Sequence, residues 1–200
     1  MDGDTNIVGG QLVLGPGRLQ IAGLSEAGTA DITRSSGLLS VALAEETARA
    51  DVSIADGAQI IAFGPDESVN ITAHNLTVKG RSPEDSELQS GILVGAFSED
   101  ALPFQVGDIN IDADSSIQLL DGSIYNNVGS GAIGDAGNIN IKAQSLYLTD
   151  SAQIATIVQG NGNGGDLNVS VTQSIEIEGK DSLSSIISRG STLWLKAYCR

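Results

Sequence analysis

The stretch that decides the fold is GNINIKAQSLYLTDSAQIATIVQ, residues 137–159. Its first apolar side chains, Ile139 and Ile141, alternate with polar ones, and this period of two gives a β-strand one buried and one solvated face. A second short strand is expected at residues 146–148 and a third at residues 152–158, after a polar turn. Three such strands cannot bury an apolar face by themselves, so the unit is expected to stack on relatives of itself.

Four segments of the chain share the pattern of this unit. Each has aliphatic residues at its second and fourth positions, asparagine at its third, and a small or aliphatic residue at its sixth. The segments are SVNITAH (68–74), DINIDAD (108–114), NINIKAQ (138–144) and DLNVSVT (166–172). Stacking them in register predicts one column of asparagines, made of Asn70, Asn110, Asn140 and Asn168.

The same register predicts the neighbours of other side chains. Ile139 and Ile141 should lie in the core, between the matching aliphatic pairs of the units on either side. On the outside, Lys142 should face Asp112, in one column with Ser170. A second outer column is expected to contain Asp108, Asn138 and Asp166.

The repeat is expected to begin near residue 50, because residues 52–60 match the second and third strands of the unit at 137–159. The polar insertion KGRSPEDSELQSG, residues 79–91, predicts a loop that leaves one corner. We therefore divide the chain into three parts: irregular leading turns at 1–49, repeats at 50–190, and an atypical C-terminal tail or cap at 191–200. Residues 38–50 are the one stretch that could form a helix.

Parallel strands need long crossovers unless the chain coils, and a coil of short strands places each unit on the previous one with parallel hydrogen bonding. The few aromatic residues (3 Phe, 3 Tyr and 1 Trp) fit a slim aliphatic core and disfavour a helical bundle. The predicted fold class is all-β, a single-stranded parallel β-helix, or solenoid, with three short strands per turn.

Charge and cysteine content exclude several classes of function. The formal net charge is −15, and the ten basic residues form no cluster that could neutralise a line of phosphates, so no nucleic-acid partner is predicted. Cys199 is the single cysteine, which excludes an internal disulfide bond. The chain has no run of residues apolar and long enough for a transmembrane helix, and it begins with an acidic segment where a secretion signal would be basic and then apolar.

Three stretches resemble a known family. RADVSIADGAQI (49–60) and NNVGSGAIGDAGNINI (126–141), running on to residue 159, resemble the repeat region of large filamentous haemagglutinin-like exoproteins of cyanobacterial type. GRLQIAGLSEAG (17–28) is similar to the segment that joins that repeat region to its secretion domain. The resemblance covers about residues 10–188.

The resemblance implies a right-handed β-helical passenger that is exported by two-partner secretion and is then secreted or held at the cell surface, associated with the outer membrane. The partner of the full-length protein would be an outer-membrane two-partner secretion transporter, and cell-surface glycans or proteins are further candidate partners. The chain lacks the signal and secretion domain of the family, and its last residues do not continue the repeat. We expect a piece of a longer exoprotein or the product of a truncated gene.

No catalytic, cofactor-binding or metal-binding residue is predicted, and no cofactor. Asp108 and Asp112 share a face but lie about 13 Å apart along a strand, too far for one acid–base site. His74 is the only histidine, and we expect it to be a solvated residue at the end of a strand. We assign no function to Cys199. The expected function is therefore a non-enzymatic surface scaffold that holds adhesive loops, such as residues 79–91 and 126–137, away from the cell.

Two other functions stay open. A carbohydrate-active β-helical enzyme, a polysaccharide lyase or hydrolase, is the first alternative. A calcium-dependent surface module is the second, because GNGNGGD (160–166) is similar to the glycine-rich calcium nonapeptide. That motif places an aliphatic residue two positions after its aspartate, whereas here Leu167 follows Asp166 directly.

Overall fold

The computed structural model describes residues 3–15, 17–26, 30–35, 38–44, 47–96, 104–179, 184–188 and 193–197. Within these ranges the secondary structure consists of β-strands joined by turns and loops. In chain order the strands are β1 (Thr5–Val8), β2 (Gln11–Leu14), β3 (Arg18–Ala22), β4 (Ala30–Ser35), β5 (Leu38–Leu43), β6 (Val52–Ala55), β7 (Gln59–Phe63), β8 (Ser68–Ala73), β9 (Leu76–Lys79), β10 (Ser90–Ala96), β11 (Phe104–Gln105), β12 (Ile109–Ala113), β13 (Ser116–Leu120), β14 (Gly122–Val128), β15 (Gly134–Asp135), β16 (Ile139–Thr149), β17 (Gln153–Val158), β18 (Leu167–Ile177), β19 (Ser185–Ser188) and β20 (Leu193–Ala197).

Two parallel sheets hold most of these strands. The first sheet has ten strands, eight of them on the path β1-β6-β9-β13-β16-β12-β8-β3, with β18 paired to β16 and β20 paired to β18. This path turns back at β16, so it approaches a closed barrel with β1 and β3 at its two ends. The second sheet has six strands, in the order β19-β17-β14-β10-β7-β2.

The expected β-helix with three short strands per turn is wrong, since the strands form two parallel sheets. The first and second strands predicted for the unit at 137–159 are one strand, β16, of 11 residues. Gln144 and Ser145, which lie between the first two predicted strands, are extended residues of this strand. β18 also runs unbroken over 11 residues, and a β-bulge opposite Gln144 takes up one extra residue.

The predicted register, in contrast, is confirmed. Asn140 pairs with Asn110 on one side and with Asn168 on the other. Lys142 lies opposite Asp112, as the alignment of the repeats predicts. The column continues through Asn70 to Gln20 in β3, which the sequence pattern alone did not include.

An aliphatic core lies between the two sheets. The side chains of Ile109, Ile139 and Leu167 are 0% exposed and stack in consecutive strands. Each buried side chain of this size contributes about 1.5–3 kcal/mol of transfer free energy. The buried hydrophobic core of the described residues contains no aromatic side chain, which agrees with the low aromatic content of the sequence.

One corner of the fold is built from residues with positive φ. The residues that follow β1, β6, β9, β13 and β16 stand in register, and all five have left-handed backbone conformations. Glycine and aspartate tolerate this conformation better than other residues do. The column consists of Gly9 (φ 61°), Asp56 (57°), Gly80 (73°), Asp121 (51°) and Asp150 (55°).

Both ends of the described chain join the sheets. β1, β2 and β3 pair in parallel with β6, β7 and β8, and β20 pairs in parallel with β18. Residues 38–43, part of the stretch that could have formed a helix, are instead strand β5 in an antiparallel hairpin with β4. Parallel pairing therefore extends on both sides of the 50–190 range assigned to repeats.

Candidate functional site

The polar side chains on the first sheet form hydrogen-bonded ladders. In the asparagine column, Nδ2 of Asn110 donates to Oδ1 of Asn70 at 2.9 Å, and Nδ2 of Asn140 donates to Oδ1 of Asn110 at 2.9 Å. Nδ2 of Asn168 continues the ladder to Oδ1 of Asn140 at 3.0 Å. Identical amides in register satisfy each other in this way in stacked β-structures, so this column ties four strands together.

A second ladder uses carboxylates and amides to hold backbone groups. Oδ1 of Asp108 accepts a hydrogen bond from the backbone N–H of Asn138 at 2.7 Å, and Oδ1 of Asn138 accepts one from the N–H of Asp166 at 2.8 Å. These contacts confirm the predicted column of Asp108, Asn138 and Asp166. The column lines an open depression of about 420 Å³, together with Gln105, Asp135 and Asn163.

The glycine-rich segment 160–166, considered for calcium, is held by an aspartate of the preceding unit. Oδ1 of Asp135 accepts hydrogen bonds from the backbone N–H of Asn163 at 2.7 Å and from its Nδ2 at 3.0 Å. Across the described residues, no group of three or more His, Cys, Asp or Glu side chains is placed to hold a metal ion. Oδ1 of Asp135 thus holds the backbone and the side chain of Asn163 in this segment.

The Asp112 column carries a cluster that the repeat alignment did not predict. Nη1 of Arg49 lies 3.2 Å from Oδ1 of Asp112 and 2.9 Å from Oδ1 of Asp114, and it also donates to the backbone oxygen of Asp112 at 3.2 Å. Lys142 lies opposite Asp112, but no Asp112–Lys142 ion pair forms among the described residues. Arg49 precedes the repeats, so their alignment contained no signal for this contact.

The insertion at 79–91 forms a loop that is shorter than predicted, residues 80–89, since Lys79 belongs to β9 and Ser90 and Gly91 to β10; its base is anchored. Nε and Nη2 of Arg81 donate to the two carboxylate oxygens of Asp121 at 2.7 and 2.9 Å. Nε2 of Gln89 donates to Oδ1 of the same aspartate at 3.0 Å. The pairing raises the pKa of the Arg81 guanidinium, chiefly through its hydrogen bonds to Asp121. Residues 83–87, at the tip, are exposed.

The second expected loop, 126–137, is tied to the core by its first residue. Asn126 lies in β14 and is fully buried, and its Nδ2 donates to the backbone oxygen of Gly107 at 2.8 Å. Its Oδ1 accepts from the N–H of Gly137 at 2.9 Å. Residues 126–128 belong to β14 and Gly134–Asp135 to β15, so the segment outside strands is shorter than predicted.

Glu67 is the most unusual polar side chain of the described chain. It is 0% exposed, and neither carboxylate oxygen has a hydrogen-bond partner. Its pKa is raised from 4.5 to about 7, chiefly by burial, and the charge of Asp66 adds to the shift. Its side chain packs against Gly64, where an added Cβ would lie 2.2 Å from Oε1.

The alignment of the repeats contained a signal for Glu67. The corresponding position in register, one or two residues before each β-strand of the ladder, is glycine in the other units, namely Gly17, Gly107, Gly137 and Gly165. At Gly137 and Gly165 an added Cβ would lie 2.1 and 1.8 Å from a backbone oxygen of the previous unit. Glu67 is therefore the one residue with a side chain in this column, in which Gly107, Gly137 and Gly165 are closed to a Cβ by the backbone of the previous unit, while Gly17 is not.

The two remaining residues considered for chemistry lie apart from these clusters. His74 is exposed and follows β8, where its backbone N–H donates to the oxygen of Ala50 at 2.8 Å. Cys199 lies outside the described residues. In the described ranges, no helix has the length and apolar character needed to cross a membrane.

Comparison with known proteins adds no relative to this description. No family model matches the chain, and neither a curated protein nor a solved structure matches it.

Proposed function

We propose that this chain is a non-enzymatic scaffold from a secreted or cell-surface exoprotein of the filamentous haemagglutinin-like type. One observation carries the proposal: the regularly repeated polar side chains of the first sheet bind neighbouring strands. The asparagine column and the Asp108 column together form five such contacts between successive units. Side chains engaged in this way have a structural role, which supports a scaffold function.

The loops are the parts of the described chain that suit binding. The insertion at 80–89 projects five consecutive exposed residues, 83–87, from a base fixed by Arg81 and Asp121. A loop whose base is already ordered loses less conformational entropy when it binds a partner. We propose cell-surface glycans or proteins as the partners, and an outer-membrane two-partner secretion transporter as the export partner of the full-length protein.

Adhesion of protein-coated beads to cells and to immobilised glycans tests this function. Replacing residues 82–88 by a Gly/Ser segment of equal length keeps the Arg81 anchor and should lower bead retention at least about fivefold. A matched replacement of residues 129–133 tests the other loop. Retention that neither replacement changes, or a wild type that adheres to no surface, would contradict the proposal.

A carbohydrate-active enzyme is the second candidate, because Arg49 brings two carboxylates together. Oδ1 of Asp112 and Oδ1 of Asp114 both lie within 3.2 Å of the same guanidinium nitrogen. Glycoside hydrolysis, however, needs one carboxyl group to hold a proton for the leaving group. The guanidinium of Arg49 lies against both carboxylates and also donates to the backbone oxygen of Asp112, so the cluster fits an ion pair that joins two parts of the chain better than an acid–base pair.

A further inference from the structure

The second sheet is free of charge in a strongly acidic protein. None of its six strands, β2, β7, β10, β14, β17 and β19, contains Asp, Glu, Lys or Arg. Charged residues make up 18% of the chain, and the formal net charge is −15. The strands of the first sheet do carry charged side chains, such as Asp112, Lys142 and Glu176. A solvent-exposed face of this size would be expected to carry charged side chains, as the rest of the surface does.

The outer face of this sheet carries an apolar column. Ile60 and Ala62 are 0% exposed and point into the core, so Ile61, between them, points outward. In register with Ile61 stand residues of the five other strands, which form one line across the sheet. The line consists of Val13, Ile61, Leu93, Tyr125, Ala155 and Ile187, of which Ala155 is buried and all but Val13 of the others are half-buried. Val13 is 53% exposed, and Phe63, two residues after Ile61, is 46% exposed.

The polar column beside this line is already hydrogen-bonded within the chain. Nε2 of Gln11 donates to Oε1 of Gln59 at 3.1 Å, and Nε2 of Gln59 donates to the backbone oxygen of Gln89 at 3.2 Å. The hydroxyl of Tyr125 donates to Oε1 of Gln153. A partner that covers the face would therefore break none of these bonds, so the desolvation cost of polar groups would be small.

We propose that the second sheet is the contact face between two copies of this chain, packed sheet against sheet. Two molecules with a charge of −15 repel each other, and this uncharged face is where they can approach without placing like charges opposite one another. Stacked β-sheets commonly pack at about 10 Å with interdigitating side chains. A two-fold dimer uses the same patch on both copies, which is the commonest symmetry of homo-oligomers.

The size of the face suits a weak dimer. Six strands spaced by about 4.8 Å, with four to seven residues at about 3.3 Å each, cover about 500 Å² per copy. The two copies together would bury about 1,000 Å², which is near the lower limit for specific interfaces. We therefore expect association in the micromolar range.

Sedimentation velocity from about 1 to 500 µM tests the contact. The wild type should shift from monomer to dimer, and Leu93→Glu should weaken association at least about tenfold, because it places two new charges in a dry interface. Thr77→Glu, which introduces the same charge on a central strand of the first sheet, should leave association within about twofold. Raising the salt concentration should strengthen the dimer, since salt screens the repulsion between the two acidic molecules.

Circular dichroism on each variant separates loss of the dimer from loss of the fold. Ile61→Gln, a milder change in the same column, should also weaken association if Leu93→Glu proves unstable. A wild type that stays monomeric up to 500 µM would overturn the proposal, even if a hydrophobic dye binds the face, because the occupant would then be another molecule. A dimer that Leu93→Glu and Ile61→Gln leave unchanged would overturn it as well.

Discussion

Nδ2 of Asn140 donates to Oδ1 of Asn110 across 2.9 Å, while Oδ1 of Asn140 accepts from Nδ2 of Asn168 at 3.0 Å. Asn140 is thus both donor and acceptor in a ladder that joins β12, β16 and β18. Such a residue holds the register of three strands at once, since a shift by one residue would turn its side chain to the opposite face of the sheet.

Replacing Asn140 by alanine should destabilise the protein by about 1–2 kcal/mol, because two side-chain hydrogen bonds are lost and their partners stay half-buried. The midpoint of thermal unfolding should fall by about 2–8 °C for a chain of this size. Lys142→Ala, on the same strand but with an exposed side chain, should change the free energy of unfolding by less than about 0.5 kcal/mol. Equal effects of the two substitutions would refute the structural role of the ladder.

Adding one methyl group to Gly137 should cost about 3 kcal/mol or more. A Cβ at this position would lie 2.1 Å from the backbone oxygen of Gly107, so the two units could not keep their present separation. Gly15→Ala is the matched control, since a Cβ there meets no atom within 4 Å. Urea denaturation of both variants measures the difference, and a Gly137→Ala variant as stable as the control would show that the units are packed less closely.

The buried carboxyl group of Glu67 should make the stability of the protein depend on pH. Its pKa is raised from 4.5 to about 7, so the folded protein holds the proton more tightly than the unfolded chain does. The free energy of unfolding should therefore fall as the pH rises from about 4.5 to about 7, and the full loss at higher pH should be about 3 kcal/mol.

Glu67→Gln provides the control for this pH dependence, because it keeps the shape of the side chain but cannot ionise. The variant should be more stable than the wild type above pH 7 and should lack the wild type's decline between about pH 4.5 and 7. Urea titrations at several pH values would show the two curves separating. Curves that stay parallel over this range would mean that Glu67 is ionised and solvated in the folded protein.

The anchor of the 80–89 loop should be visible by hydrogen exchange. Asp121→Asn keeps a side chain that tolerates the left-handed backbone (φ 51°) but removes the charge that Arg81 binds. The pair is partly exposed and contributes about 0–1 kcal/mol, so global stability should change little. Amide exchange in residues 80–89 should accelerate by about two- to fivefold. Unchanged exchange there would show that the other contacts of the loop suffice to order it.

The sequence predicts the register between neighbouring strands, but it does not predict how the strands are divided between the sheets. The alternation around Asn70, Asn110, Asn140 and Asn168 predicted the partners of each strand, since a period of two leaves one choice of buried face. The division into three short strands per turn failed at Gln144 and Ser145. These two polar residues join the first two strands that the sequence predicts for the unit, and the backbone passes through them extended, as part of the 11-residue strand β16.

The contacts of the candidate sites were predictable only where they follow the repeat. The Asp108, Asn138 and Asp166 column repeats with the units, and its stacking was predicted. Arg49 reaches Asp112 over 63 residues of sequence, and Arg81 reaches Asp121 over 40, so no periodic pattern could show either pair. Glu67 stands where its counterparts are glycines, a break in the pattern that the sequence contains but that is understood only through the close backbone contacts at Gly107 and Gly137.

We propose that the repeated polar residues of this chain hold the fold together and perform no chemistry. The most direct test of this proposal is incubation of the folded protein with acidic and neutral polysaccharides, followed by measurement of new reducing ends and unsaturated products. We expect no turnover above that of a heat-denatured sample. Turnover that is lost in Asp112→Asn or Asp114→Asn, with folding intact by circular dichroism, would contradict it and assign the Arg49 cluster to an active site.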